Sequence, residues 1–215
     1  MKLEWIGHSC FRMTAQDGTV VITDPYDAKT GYDMVPLQAD LITMSHEHGD
    51  HCCEEQIVGT PKIVHGVEEA HVGGVVSRAV MSYHDDAQGA KRGVNAIRIF
   101  EIDGLKVVHM GDQGCMPDEG ALAAITNADV MLLPVGGFFT VDAKEAKAIV
   151  DAAKPKLVVP MHVRLKKGGY VLIAGPQPFL KLMGAQGVQP VRELVLQKGS
   201  AAQGVQMMIP QAGKL

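Results

Sequence analysis

A chain of 215 residues with 47% hydrophobic and 20% charged residues has the composition of an ordinary globular protein and is long enough to bury a substantial core. Its formal net charge of -4 argues against capture of a nucleic-acid backbone by overall charge, so an anionic ligand has to be met by a local positive site. No apolar run reaches signal-peptide or membrane-spanning length, and the cysteines at 10, 52, 53 and 115 form neither a Cys-x-x-Cys pair nor a pattern suggesting disulfides, so a cytoplasmic protein with free thiols and no membrane association is expected.

Short β-branched or apolar runs predict strands over 19–23, 41–44, 62–65, 96–100, 105–109, 130–134 and 156–160, after a first strand that ends before Gly7-His8-Ser9. Little helical sequence separates them in the first half. Beyond Pro117 amphipathic segments alternate with strands, which predicts a mixed α/β architecture. The clearest helix covers 142–153, where Ala143, Ala146, Ile149, Val150 and Ala153 form one apolar stripe and Asp142 with Glu145 offers a capping-box start. Further helices are predicted over 118–126 and, after Pro178, over 179–183 with Gly184 as terminator. The stretch after Gly199 is open between a terminal strand and a loose tail. No repeat, low-complexity tract or linker interrupts the chain, so residues 1–215 are read as one domain.

The segment Ser45-His46-Glu47-His48-Gly49-Asp50-His51 directly follows the strand at 41–44. In extended or turning backbone His46 and His48 share a side, while Asp50 and His51 lie further on, so one loop can feed two ligand sets. Glu47 alternates away from them. Imidazole with carboxylate suits a first-row divalent cation: zinc, manganese and iron all accept these ligands. One loop cannot close two sites, and three later strand ends supply candidates: His84 after 79–83, Asp112 after 105–110, and His162 after 156–161.

In that order, with Trp5-Ile6-Gly7-His8-Ser9, Thr23-Asp24-Pro25, His109-Met110-Gly111-Asp112, Leu133-Pro134-Val135-Gly136 before Phe139-Thr140, and Val158-Val159-Pro160-Met161-His162, the chain resembles the metallo-β-lactamase superfamily along nearly its whole length. Within it the chain looks most like the ascorbate-6-phosphate lactonase-like metal-dependent hydrolases. The resemblance implies an αββα sandwich, two mixed sheets face to face with helices outside and the site at one edge. It implies that His46, His48 and His84 hold one metal, that Asp50, His51 and His162 hold the other, and that Asp112 bridges them. Asp24, closing the second strand, would brace the ligand loop by hydrogen bonds. The chain is short on either side of His84 and lacks an appended domain like that of the nuclease members. His48 stands where the oxygen-reducing di-iron relatives have H-x-E-x-D-H.

His109, three residues before Asp112, either donates or accepts a proton near the metal-bound hydroxide or is buried against the opposite sheet, and the supporting, structural role is the one expected. His8 is unassigned, and His65 and His71 read as packing or surface residues. The basic turn Arg164, Lys166, Lys167 after His162 is either solvated or an anion contact, and Lys166 and Lys167 are the candidate substrate-binding residues. Cys115 reads as a free thiol; Phe138 and Phe139 either wall the groove or plug the core. The expected activity is that of a binuclear hydrolase with two divalent ions, zinc foremost and manganese or iron as alternatives, cleaving a small ester, lactone or phosphodiester with a metal-bridging hydroxide, with Asp50 and Asp112 as catalytic residues. The alternatives are a single-strand nuclease or nucleotide phosphodiesterase, which a basic groove of Arg78, Lys91 and Arg92 would favour, and a catalytically silent metal-binding module. A small anionic substrate is the expected partner and nucleic acid is not. The sequence is compatible with a homo-oligomer.

Overall fold

Strands buried on both faces read as unbroken apolar runs, and Leu41–Met44, Val130–Pro134 and Leu157–Met161 are buried along their whole length in the computed structural model, which describes residues 1–199 and 202–211. In chain order the elements are β1 (Lys2–Gly7), β2 (Cys10–Thr14), β3 (Val20–Thr23), β4 (Leu37–Gln38), β5 (Leu41–Met44), β6 (Ile57–Val58), β7 (Lys62–His65), β8 (Ala70–Val72), β9 (Val75–Tyr83), β10 (Val94–Ile102) and β11 (Leu105–His109). Then follow α1 (Glu119–Ile125), β12 (Val130–Pro134), α2 (Ala143–Ala153), β13 (Leu157–Met161), α3 (Gln177–Leu182), β14 (Glu193–Val195) and β15 (Gly204–Val205).

Two mixed sheets result, ordered β14-β1-β2-β3-β5-β7 and β15-β13-β12-β11-β10-β9-β8, with β4 and β6 paired apart. Trp5, Phe11, Val21 and Leu41 of the first sheet pack against Ile97, Phe100, Val107, Leu132 and Val159 of the second. The alternate residues Ile6, Ile22, Ile42 and Met44 point to the first sheet's other face, where Tyr26, Tyr32 and Leu37 cover them. This is the sandwich expected, with one difference. The three α-helices all follow β11, and among the described residues the outer face of the first sheet is covered by irregular chain, the 3-10 turn Ala28–Thr30 and the β4–β6 pair. Pro25, Gly31 and Pro36 leave no helical run there.

Strand direction positions the site. β1 and β3 are each antiparallel to β2, and β5 is parallel to β3; β9 and β11 are each antiparallel to β10, and β12 and β13 continue parallel to β11. Within each sheet these strands therefore end at a common edge, the place where open α/β sheets gather ligands. His8, Asp24, Ser45-His46, His84, Asp112 and His162 each follow one of those ends.

The strands at 41–44, 62–65, 105–109 and 130–134 fall as expected, while 96–100 is the middle of the nine-residue β10. Because β2 intervenes, Asp24 closes the third strand, not the second. Asp142 caps α2 through a complete capping box with Glu145. α3 begins at Gln177, before Pro178, because proline's missing N–H has no helical partner in the first turn. The open question about the tail resolves as β15 paired with β13, while Ser200, Ala201 and 212–215 lie outside the described residues. No helix of the described residues is long and apolar enough to cross a membrane.

Candidate metal centre

Asp112 stands at the middle of the site. Its carboxylate lies 3.1 Å from His51 Nε2, 3.2 Å from His84 Nε2, 3.3 Å from His162 Nε2 and 4.0 Å from His46 Nε2, and it is buried. Ligand-type atoms of His46, His48 and His84 lie within 4.8 Å of one another, and so do those of Asp50, His51 and His162, joined by His8. The structure thus brings all seven candidate ligands together, and His46, His51 and Asp112 form a third such group that joins the other two.

Local chain geometry aims each side chain. The Asp24 carboxylate accepts from the Ser45 backbone N at 2.9 Å and the Ser45 hydroxyl at 2.6 Å, and pairs with His51 Nδ1 at 2.7 Å, so it orients both ends of the ligand loop. His8, Asp24 and His162 have φ of 51°, 39° and 51°, a left-handed backbone that non-glycine residues adopt at a cost and that concentrates at functional sites. Gly111 has φ 55°, and a Cβ there would lie 2.2 Å from Asn95 Oδ1. Asn95 accepts from the Asp112 N–H at 3.0 Å and donates to the Met110 carbonyl at 2.9 Å, which fixes the turn carrying Asp112. His109 pairs with the Ser9 carbonyl at 2.7 Å through Nε2 and accepts the Gly111 N–H at 3.2 Å, so it supports the same turn from beneath without reaching the ligand cluster.

The electrostatics call for a cation. Burial, with His51 beside it, pushes His46 down to about 3, and burial with His162 pushes His8 down to about 4; burial also lowers His48. Although burial would raise Asp112 and Asp50, His162 and His51 beside the former and His8 and His51 beside the latter hold both carboxyls well below their ordinary range. Against burial, Asp112, Asp24 and Asp50 hold His51 above the usual imidazole value. Three carboxylates therefore share a largely buried site in which His8 and His46 are neutral and His51 is the raised imidazole, and such charge is stable only when compensated. The buried atoms His46 Nε2, His51 Nε2, His162 Nε2 and Asp112 Oδ1 have no hydrogen-bond partner, as expected of donors meant for metal. The residues present thus fit divalent ions.

A cleft of about 240 Å³ opens over Asp112, lined by His48, Asp50 and His84 of the ligand cluster and by Arg92, Phe139 and Tyr170. Phe139 meets Tyr170 edge-on at 5.7 Å, so of its two readings it is the wall. Phe138 is 58% exposed beside it. Two larger hollows, of about 570 Å³ near Ala79 and Leu105 and about 630 Å³ near Val135 and Pro178, contain none of the seven candidate ligands.

The basic turn goes elsewhere. Lys166 is exposed, Lys167 pairs with Asp33 at 3.2 Å, Arg164 donates to the Val171 carbonyl at 3.0 Å, and none of them lines the cleft. Placing Lys166 and Lys167 at the substrate is therefore corrected: chain proximity to His162 does not carry their side chains back over it. No basic groove forms from Arg78, Lys91 and Arg92 either, since Arg78 pairs with Glu101 and Lys91 with Asp86. Cys115 is a half-buried free thiol outside the cluster. His65 faces Glu47 across the surface at 3.6 Å and His71 is exposed. Sequence reasoning missed His8, whose Nε2 lies 3.2 Å from Asp50 Oδ2, although its position just past a strand end was the same signal that marked the other ligands. It also missed Asn95 and Tyr170, which no local pattern distinguishes, and marked Arg92 only as part of a basic groove.

A family model described as Beta-lactamase superfamily domain matches residues 2–162. The chain is 29% identical over 213 residues to the UPF0173 metal-dependent hydrolase of Thermoplasma acidophilum, covering 87% of this chain and 92% of the relative. It is 31% identical over 185 residues to that of Methanoculleus marisnigri, covering 75% and 80%. Among solved structures, a candidate Zn-dependent hydrolase of the metallo-β-lactamase superfamily from Thermotoga maritima superposes with a TM-score of 0.80 at 30% identity, covering 98% of this chain and 99% of that one.

Proposed function

Since the chain belongs to the metallo-β-lactamase superfamily, and within it to the UPF0173 metal-dependent hydrolases, we propose that it uses two divalent ions to cleave a small ester, lactone or phosphodiester bond. The observation that carries this reading is the position of Asp112, with one carboxylate 3.2 Å from His84 of the first ligand group and 3.1 and 3.3 Å from His51 and His162 of the second. His46, His48 and His84 would hold one ion, Asp50, His51 and His162 the other, and Asp112 both. Zinc fits this donor set, and manganese and iron accept it too.

Divalent ions at such a site lower the pKa of a water from about 15.7 toward about 7 and polarise the scissile oxygen. The protein's own groups do the rest. Asp50, held as a carboxylate and steadied by His8, can accept and orient a water proton at the cleft floor. Tyr170, whose phenol is raised by burial and by Asp50 and so keeps its proton, lines the cleft as a donor for the departing or developing oxygen. Phe139 and Tyr170 narrow access for bulk water. No serine or cysteine nucleophile is needed. A cleft of about 240 Å³ suits a small reacting group, and a phosphorylated lactone, the substrate type implied by resemblance to the ascorbate-6-phosphate lactonase-like branch, belongs among the first compounds to try.

The test is metal analysis with turnover. Wild type reconstituted with zinc or manganese is expected to hold two ions per chain and to hydrolyse generic esters, lactones or phosphodiesters, whereas Asp112→Ala loses at least one ion and turnover while keeping its fold. Full activity with two ions in Asp112→Ala would refute the bridging role. A wild type that binds two ions yet turns over none of these substrates would favour the silent metal-binding module.

A further inference from the structure

We propose that Arg92 anchors an anionic group of the substrate, a carboxylate or a phosphate, in the cleft over Asp112; the inference rests on the hydrolase reading and adds the chemistry of the substrate's remote end. Among the described residues Arg92 is the one Lys or Arg side chain lining the hollow over Asp112, and it also borders a second hollow, of about 250 Å³, lined by His48, Gly66 and Val94. A ligand whose reacting group lies at Asp112 can therefore reach the guanidinium with its next substituent.

The side chain is held ready. Its Nη2 donates to the Phe138 carbonyl at 3.1 Å, and its guanidinium carbon lies 5.8 Å from the Phe139 ring centroid. Its backbone is fixed by Asp85, the residue after His84, whose carboxylate accepts from the N–H groups of Ala87, Gly89, Lys91 and Arg92 at 2.7, 2.9, 2.9 and 2.7 Å. A ligand histidine and the anchor are thus tied to one rigid turn. Preorganisation of this kind reduces the entropy lost when a guanidinium grips an oxyanion.

The charge on Arg92 is also uncommitted. Arg78, Lys91 and Lys167 each pair with a carboxylate, but among the described residues Arg92 makes no salt bridge. The Phe138 carbonyl takes one of five guanidinium donors and leaves a fork for a planar or tetrahedral oxyanion. With the ions held at Asp112 attracting the reacting group, Arg92 would be the protein cation that meets the end of an anionic substrate remote from them, on a chain of net charge -4. The lysines at 166 and 167 supply no alternative, since neither lines the cleft.

The experiment compares 4-nitrophenyl esters of acetate, succinate and 3-phosphonopropionate, which carry no charge, a carboxylate and a phosphonate at the acyl end, with the zinc-loaded full chain and its Arg92→Gln and Arg92→Lys variants. Arg92→Gln is expected to raise KM about 10- to 100-fold for at least one anionic ester, with kcat within about twofold and the acetate ester unaffected. The ester that loses identifies the anion, and Arg92→Lys falls between wild type and Arg92→Gln. Equal KM changes for neutral and anionic esters, or no change for any, would overturn the proposal. If wild type hydrolyses none of the esters, the ester-hydrolase reading fails by itself; calorimetric titration of the same proteins with succinate and methylphosphonate then decides, about tenfold weaker binding to Arg92→Gln supporting the anchor and equal binding of both anions overturning it.

Discussion

Asn95 and His109 touch no candidate ligand except through the turn 110–113, yet both fix where the Asp112 carboxylate stands. Asn95 holds the Asp112 N–H and the Met110 carbonyl, and His109 holds the Gly111 N–H while anchored on the Ser9 carbonyl. Groups that orient ligands in this way typically contribute about 10- to 100-fold to metal affinity or activity. Asn95→Ala and His109→Ala are therefore expected to lower kcat/KM or metal affinity by about that factor without abolishing either, in contrast to Asp112→Ala. Steady-state kinetics with metal titration check this, and loss of all activity in either variant, with two ions still bound, would instead indicate direct participation. The direction of His109's own titration agrees with a supporting role, since burial lowers it and keeps the ring neutral as an acceptor for Gly111.

At the scale of elements, the strand ends opposite the site are tied by Asp129, just before β12. Its carboxylate accepts from the Lys106 N–H at 2.9 Å and meets the ammonium groups of Lys156 at 2.7 Å and Lys198 at 3.4 Å, joining β11, β13 and the segment after β14. Burial works against the charge, but the Lys156 ammonium, the Lys106 N–H and Lys198 hold the carboxyl below its ordinary value. With the folded value depressed below an unfolded value of about 3.9, the stabilisation is complete at neutral pH and fades as pH falls through that value and below. Urea unfolding of wild type and Asp129→Asn is expected to differ at pH 7 and to converge toward pH 3. A difference that stays constant or widens on acidification would show that Asp129 stabilises the fold without its charge.

For the molecule as a whole, the site is where the two sheets meet at one edge, so metal should act as a clasp between them. His46, His48, Asp50 and His51 descend from β5 of the first sheet, whereas His84, Asp112 and His162 descend from β9, β11 and β13 of the second. A ligand present at about 1,000 times its Kd stabilises the native state by about 4 kcal/mol. At about 2–4 °C per kcal/mol for a chain of this size, chelation is expected to lower Tm by about 8–16 °C, and added zinc to restore it. Thermal melts before and after dialysis against a chelator test this; an unchanged Tm with metal verifiably removed would mean that the sheets need no clasp. The Asp112→Ala variant should show a smaller drop on chelation than wild type, since it begins with less metal.

The sequence by itself determined whatever local pattern controls. Apolar runs buried on both faces marked 41–44, 105–109 and 130–134 as strands, the 3.6-residue stripe with Asp142 and Glu145 marked α2, and histidines or aspartates just past strand ends marked all seven candidate ligands. Tertiary structure alone decided which surface residues face the site, because that depends on how distant turns fold over one edge. Lys166 and Lys167 follow His162 in sequence, yet their turn leads away to Asp33, while Arg92 reaches the cleft only because Asp85 closes its loop and Phe138 presents a carbonyl from beyond β12. His8 and Asn95 meet their partners, Asp50 and Asp112, across 42 and 17 residues of chain, separations over which no periodicity in the sequence carries information.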